Sequence, residues 1–162
     1  MAPGRKHRQP IIDACVALFR RRGYAATGMN DIVEASGAPK GSLYHYFPEG
    51  KPAIAVAAVE EAGRRVCATL EELVARCDST GELLEAHAAL LGSWLAASDY
   101  RDGCPITTVL LELAPGNRAV AAAGRRAYAD RLAILRDRLI ADGHGEADRK
   151  STRLNSSHTH LS

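Results

Sequence analysis

The sequence predicts an all-α fold, a three-helix head followed by a longer helical body. Three observations carry this. Apolar residues recur at three- and four-residue intervals through most of the chain, which is the period of one helix face. Glycine and proline punctuate the pattern at Gly23, Gly37, Pro39 and Pro105, where helices stop or start. Two short helical patterns also lie within residues 27–47, joined by a tight glycine turn in the manner of a helix-turn-helix.

The first helix carries Ile11, Ile12, Cys15, Leu18 and Phe19 on one face and ends at Gly23. Arg20, Arg21 and Arg22 suit the negative end of its dipole. Thr27 is expected to N-cap a second helix bearing Met29, Ile32 and Val33, which Gly37 stops after about two turns. Pro39, its φ already set for a first turn, opens the third helix. At about 100° per residue, Pro39, Leu43, Tyr46 and Phe47 fall on one side of it, while Gly41, Ser42, Tyr44 and His45 project away with Lys40 beside them. The inner side packs, and the outer side is free to touch another molecule. Gly41 is a poor helix former, and its use there suits a surface that must come close to the backbone. A polar outer face is also what any short surface helix shows.

In the body, a long alanine-rich helix runs from Pro52 to about Cys77, with Ile54, Val66, Leu70, Leu73 and Val74 as its larger apolar residues. A helix from about Thr80 to Ala97 puts Leu84, His87, Ala88, Leu91, Trp94 and Leu95 on one face. Pro105 starts a short helix through Leu113, which "APGN" breaks. A last helix, striped by Val120, Gly124, Tyr128, Leu132, Leu135 and Leu139, ends near Asp142.

Composition narrows the function classes. At 46% hydrophobic and 25% charged, the chain is globular in type. It has no apolar run long enough for a membrane span and no leader-like N-terminus, so a cytoplasmic protein is expected. Cys15, Cys67, Cys77 and Cys104 are widely spaced, which disfavours a disulfide framework or a zinc site and favours buried thiols. Residues 1–51 carry eight Lys/Arg against four acids, a balance of +4, and since the whole chain is +2 the remainder is slightly acidic. A basic head on an acidic body points to a polyanion partner for the head alone.

The stretch GYAATGMNDIVEASGAPKGSLYHYFPEGK, Gly23 to Lys51, resembles the DNA-binding head of the TetR family of bacterial repressors, and APKGSLYHYFPEGK resembles its LmrA-like branch. RDGCPITTVLLELAP, Arg101 to Pro115, resembles a segment of the ligand domain in that branch. The resemblance implies that Thr27 caps the second helix and touches a phosphate. It implies that Tyr44 and Lys51 hold the DNA backbone, and that Lys40, Gly41, Ser42 and His45 face the bases. Lys40 can donate to the O6 or N7 acceptors of guanine, and Ser42 can donate or accept. The basic arm of Arg5, Lys6 and Arg8 can add phosphate or minor-groove contacts.

The resemblance also implies a pocket for a small apolar ligand, an inducer, among the body helices. Its candidate lining is His87, Leu91, Trp94, Cys104, Thr107, Thr108, Leu111 and Tyr128, although each residue taken alone reads more readily as ordinary core. The implied partner is double-stranded DNA with a palindromic operator, bound by a homodimer in the full-length form and controlling a drug-efflux or detoxification gene. No cofactor, metal or membrane is implied. The alternatives are a DNA-binding fragment without ligand response, a nucleoid-type DNA binder, or a thiol or serine hydrolase using Cys104 or Ser98 with His87 and Glu112. The acidic body argues against the second. The lack of G-x-S-x-G, H-E-x-x-H or a phosphate loop argues against the third.

The expected division is a DNA-binding domain over 1–51, a partial ligand-binding and dimerisation domain over 52–148, and a non-native disordered tail over 149–162. From Arg149, RKSTRLNSSHTHLS has almost no apolar residues and no helical period, so His158 and His160 read as tail rather than metal ligands. TetR-type chains continue past such a last helix into two more, which pair between subunits. A body lacking its last two helices is therefore expected, with apolar surface near Trp94 and Tyr128 left partly uncovered and weakened dimerisation.

Overall fold

The computed structural model describes residues 6–144. Among them are seven helices and no strand: α1 (Arg8–Arg22), α2 (Met29–Ser36), α3 (Lys40–Tyr46), α4 (Lys51–Val74), α5 (Thr80–Ala97), α6 (Pro105–Leu113) and α7 (Arg118–Ala141). The predicted tail from Arg149, with His158 and His160, lies outside the described residues, as does Arg5.

Helix ends follow local chemistry. Gly23 ends α1 at φ +84°, and Gly37 ends α2 in the left-handed region at φ +62°, conformations a side chain disfavours. Ser79 caps α5 by accepting from Glu82 N–H, and Asn117 caps α7 by accepting from the N–H groups of Ala119 and Val120. Two expected starts differ. Pro39 is the extended residue before α3 rather than its first helical residue. Thr27 is not the cap of α2: Gly28 is, and its N–H donates to the Asp31 carboxylate at 2.7 Å. The Thr27 hydroxyl instead donates to the Gly23 carbonyl at 2.7 Å, because a threonine four residues after a free carbonyl can bond backwards as readily as forwards.

The head packs α1 against α2, α3 and the start of α4, burying Ile11, Ile12, Cys15, Phe19, Ile32, Leu43, Phe47 and Ile54. This core continues into the body through Ile106 and Val109 of α6 and Val120, Ala123 and Ala127 of α7. The boundary expected at residue 51 falls at the first residue of α4, and the core does not break there. The body's main seam is α4 against α7, where small residues let the backbones meet. A Cβ on Gly63 would stand 2.8 Å from the Ala127 Cβ. At the far end, Asp142 accepts from the N–H and hydroxyl of Thr80, and Arg138 donates to the carbonyls of Val74 and Cys77, tying the end of α7 to the α4–α5 turn.

Little covers α5 beyond that turn. Thr80, Leu83 and His87 are buried, but Leu84, Leu91, Trp94 and Leu95 are exposed. On α7, Val120 and Gly124 of the predicted stripe are buried, while Tyr128, Leu132 and Leu139 are exposed. Apolar surface near Trp94 and Tyr128 is thus uncovered, as the sequence led us to expect.

Candidate nucleic-acid interface

The second and third helices are anchored by a few apolar side chains, with Met29, Val33 and Tyr46 partly buried against the core. Ile32 is the fully buried residue of α2 and Leu43 that of α3, with Phe47 sealed just beyond. Between the helices, Ala38 is buried and its N–H donates to the Ser36 hydroxyl at 3.2 Å. With Leu43 and Phe47 inward, Lys40, Gly41, Tyr44 and His45 stand exposed and Ser42 is half-buried. The outer face expected from the sequence is therefore presented to solvent. Nothing lies within 4 Å of where a Gly41 Cβ would be, and Gly41 carries no left-handed φ, so the fold itself does not require glycine there.

Lys51 and Thr27 are placed differently from the other candidates. Thr27 is fully buried, and its hydroxyl is committed to Gly23, so in this arrangement it has no surface with which to touch a phosphate. Lys51 is half-buried, with its ammonium 4.0 Å from the Tyr24 ring centre, a cation–π contact. Burial pulls its pKa down, while Glu112, Cys15 and Asp31 push the other way. Of the arm, Lys6 is exposed, and the Arg8 guanidinium lies 5.6 Å from the Phe47 ring.

Three arginines of the head are committed to ion pairs. Arg20 and Arg21 pair with Asp102, and Arg22 with Asp31. These three arginines serve the α1 end and its junction with the body. Asp102 and its neighbour Gly103, whose N–H caps the Arg20 carbonyl at 2.9 Å, carried no sequence signal for that role.

The ligand candidates do not gather around one enclosed space. Thr107 and Tyr128 meet through their hydroxyls at 2.9 Å, joining α6 to α7. The Thr108 hydroxyl donates to the Cys104 carbonyl within its own helix. Leu111 is 76% exposed. Trp94 lines two clefts beside α4, one with Arg20, Arg65 and Asp102 and the other with Leu73 and Arg76, away from Thr107 and Tyr128. His87 is buried near Arg131, and both burial and that charge hold its pKa below the usual histidine range. Cys104 is exposed at the start of α6 and Cys67 is half-buried, not buried as expected for the four thiols. Cys15 and Cys77 are the buried thiols, and burial pushes the Cys15 pKa up to about 12. The hydrolase alternative loses its orienter as well, since the Glu112 carboxylate is bonded to the α1–α2 turn.

Comparison with known proteins matches residues 11–58 to the family model "Bacterial regulatory proteins, tetR family". Residues 80–156 match "Transcriptional regulator LmrA/YxaF-like, C-terminal domain", a match that runs past the boundary expected at Arg149. The chain is 30% identical over 143 residues to the HTH-type transcriptional regulator LmrA of Bacillus subtilis, covering 88% of this chain and 76% of that protein. It is 30% identical over 151 residues to the uncharacterised regulator YxaF of the same organism, covering 92% and 79%. Among solved structures, a TetR transcriptional regulator from Legionella pneumophila superposes with a TM-score of 0.72 at 17% identity, covering 88% of this chain and 76% of that one. A TetR-family regulator from Agrobacterium tumefaciens superposes with the same TM-score at 22% identity, covering 86% and 74%.

Proposed function

The chain belongs to the TetR family of bacterial transcriptional regulators, and from that premise we propose that it is a ligand-responsive repressor that reads an operator with the outer face of α3. One observation carries the reading. Lys40, Gly41, Tyr44 and His45 are exposed together, while the same short helix is anchored by Leu43 and Phe47. Lys40 and Ser42 supply donors for base edges, Tyr44 and the exposed N-terminal Lys6 supply backbone contacts, and Gly41 lets the groove approach the helix.

Two copies are proposed to act together on a palindromic site, with recognition helices about 34–36 Å apart or a multiple of that, so that both enter major grooves. A small apolar inducer that favours a different spacing weakens DNA binding by linkage. Residues proposed to feel it are those near the Thr107–Tyr128 contact and, in a separate place, His87, Leu91 and Trp94 of α5. No chemistry is done on the ligand, and the regulated gene is proposed to serve efflux or detoxification.

The test begins by selecting duplexes from a randomised pool with the wild-type protein, then titrating selected and unselected DNA at several salt concentrations. Lys40→Ala is expected to cost about 1–3 kcal/mol on the selected duplex and to relax preference at one base position. Equal loss on both duplexes removes Lys40 from base reading. For Lys51→Ala, a phosphate contact lowers the salt slope by about one unit. An unchanged slope with a less stable head assigns Lys51 to Tyr24 alone.

A further inference from the structure

The turn between α1 and α2 is held from outside the head. Its N–H groups at Tyr24 and Ala25 donate to the two oxygens of the Glu112 carboxylate, at 2.8 and 2.6 Å. Glu112 lies near the C-terminal end of α6, nearly ninety residues further along the chain. The seat is fitted to it. A Cβ on Gly23 would stand 2.5 Å from Glu112 Oε1, and the φ of +84° there also favours glycine. The other end of the α6 segment grips the same place, since Gly103 N–H caps the Arg20 carbonyl and Asp102 pairs with Arg20.

From the turn, short contacts lead to both DNA-reading helices. Thr27 N–H donates to the Tyr24 carbonyl and the Thr27 hydroxyl to Gly23, one residue before the Gly28 cap of α2. The Tyr24 ring meets the ammonium of Lys51, the first residue after the turn that follows α3. Ile32 and Leu43 anchor the two helices to the core, with Met29, Val33 and Tyr46 packed beside them, and the turn fixes the start of α2 against the end of α1. Glu112 itself is fixed through α6, whose Ile106 and Val109 are buried and whose Leu110 fills the space over Gly124 of α7.

We propose that Glu112 is a positioning residue for DNA recognition: its carboxylate, held by the body, sets the α1–α2 turn and so the orientation in which α3 meets the groove. This rests on the reading of α3 as the base-reading helix. Such a role separates sequence-specific from non-specific binding. Attraction to an arbitrary duplex is mostly a matter of charge, whereas specific contacts need the helix in one attitude. Removing the negative charge of Glu112 would by itself strengthen attraction to any DNA, so a loss confined to the selected duplex is not a charge effect.

The experiment compares wild type with Glu112→Gln and Glu112→Ala, using the duplex selected by the wild-type protein, an unselected duplex, and amide hydrogen exchange at Tyr24 and Ala25. Glu112→Gln keeps the shape and one acceptor, so it remains informative should Glu112→Ala unfold. The expected result is faster exchange at both amides and affinity for the selected duplex weakened about tenfold or more, the scale of a lost charge-assisted hydrogen bond. Affinity for unselected DNA should be unchanged or higher. Faster exchange with intact selective affinity would reduce Glu112 to a local cap, and unchanged exchange would show that the contact is not made in solution. Either result overturns the proposal. A wild-type protein that selects no sequence would overturn the reading of α3 as well, and is distinguishable because the exchange result stands apart from DNA binding.

Discussion

Leu43 and Leu132 both sit on the apolar stripe of an amphipathic helix, yet Leu43 is fully buried and Leu132 is 63% exposed. The contrast holds for the regions around them. In the head and the adjoining half of the body, apolar side chains from α1, α2, α3, α4, α6 and α7 close over one another. On the outer side, Leu84, Leu91, Trp94 and Leu95 of α5 and Tyr128, Leu132 and Ile140 of α7 face outward. Helical periodicity states that a stripe exists. It does not state what covers it, since that partner is set by chain far away or by another molecule.

The sharpest test of the contrast is a truncation on each side. Phe19 is fully buried at the junction of head and body, so Phe19→Ala is expected to destabilise the fold by about 3–5 kcal/mol. Leu132→Ala should change stability by less than about 0.5 kcal/mol. Denaturant midpoints of the two variants decide it. A large loss for Leu132→Ala would mean that this face is covered in solution.

Two glycines carry the comparison to finer scale. Gly63→Ala places a methyl 2.8 Å from the Ala127 Cβ, with the α7 backbone just behind, and is expected to force α4 and α7 apart at a cost of about 1–3 kcal/mol. Gly41→Ala meets open space on an exposed helix and should stabilise the free protein by up to about 1 kcal/mol. If Gly41 lets DNA approach the helix, the same variant loses affinity for its selected duplex. A more stable protein with unchanged binding would leave Gly41 without that role.

The exposed stripe itself should respond in association more than in stability. Replacing Leu84, Leu91 and Leu95 together with glutamine is expected to move stability by no more than about 0.5 kcal/mol per site, while reducing self-association seen by sedimentation. Greater unfolding than this would show that α5 is held by those leucines.

Where the sequence was legible, the signal was local. Gly23, Gly37, Pro105 and the end near Asp142 mark helix limits because the chemistry that stops or starts a helix lies within a turn of it. The outer face of α3 and the inward Leu43 and Phe47 follow from a few residues and one period, but Pro39, expected on the inner side, is exposed because it precedes the helix in extended backbone. Thr27 was misread because two local hydrogen bonds compete for one hydroxyl, and the backward one to Gly23 also lets the side chain be buried. Cys104 is exposed rather than buried because wide cysteine spacing argues against pairing and metal binding but does not say which way a side chain points at a helix start. The candidate ligand lining failed to assemble for a tertiary reason: Trp94 and Tyr128 lie on helices whose relative packing the chain pattern does not encode. Glu112 offered only a lone acid in an apolar helix, and its partners in the turn lie far back in the sequence.

A polar residue, His87, sits where the two regions meet. His87 is buried on α5, but Leu84 and Leu91 to either side of it along that helix are exposed. Burial first, and then the positive charge of Arg131 on α7, hold its pKa below the ordinary value. The neutral ring is thus favoured in the folded state, and the unfolded chain takes up the proton more readily. Stability from this residue is therefore complete above the unfolded value of about 6.5 and falls as pH drops through that value, levelling below the folded pKa. Asp142 has the opposite charge type but acts in the same direction at lower pH. Its carboxylate, held below the usual range chiefly by the Thr80 hydroxyl, contributes stability that is lost only as pH falls below ordinary carboxylate values. Chemical unfolding of wild type and His87→Gln between about pH 8 and pH 5 separates the two, because that window spans the unfolded histidine pKa and stays above the carboxylates. Wild type should lose more stability than His87→Gln on going from pH 8 to pH 5. Parallel losses would show that His87 is as well solvated in the folded protein as in the unfolded chain, extending the uncovered surface of α5 to one of its two buried polar side chains.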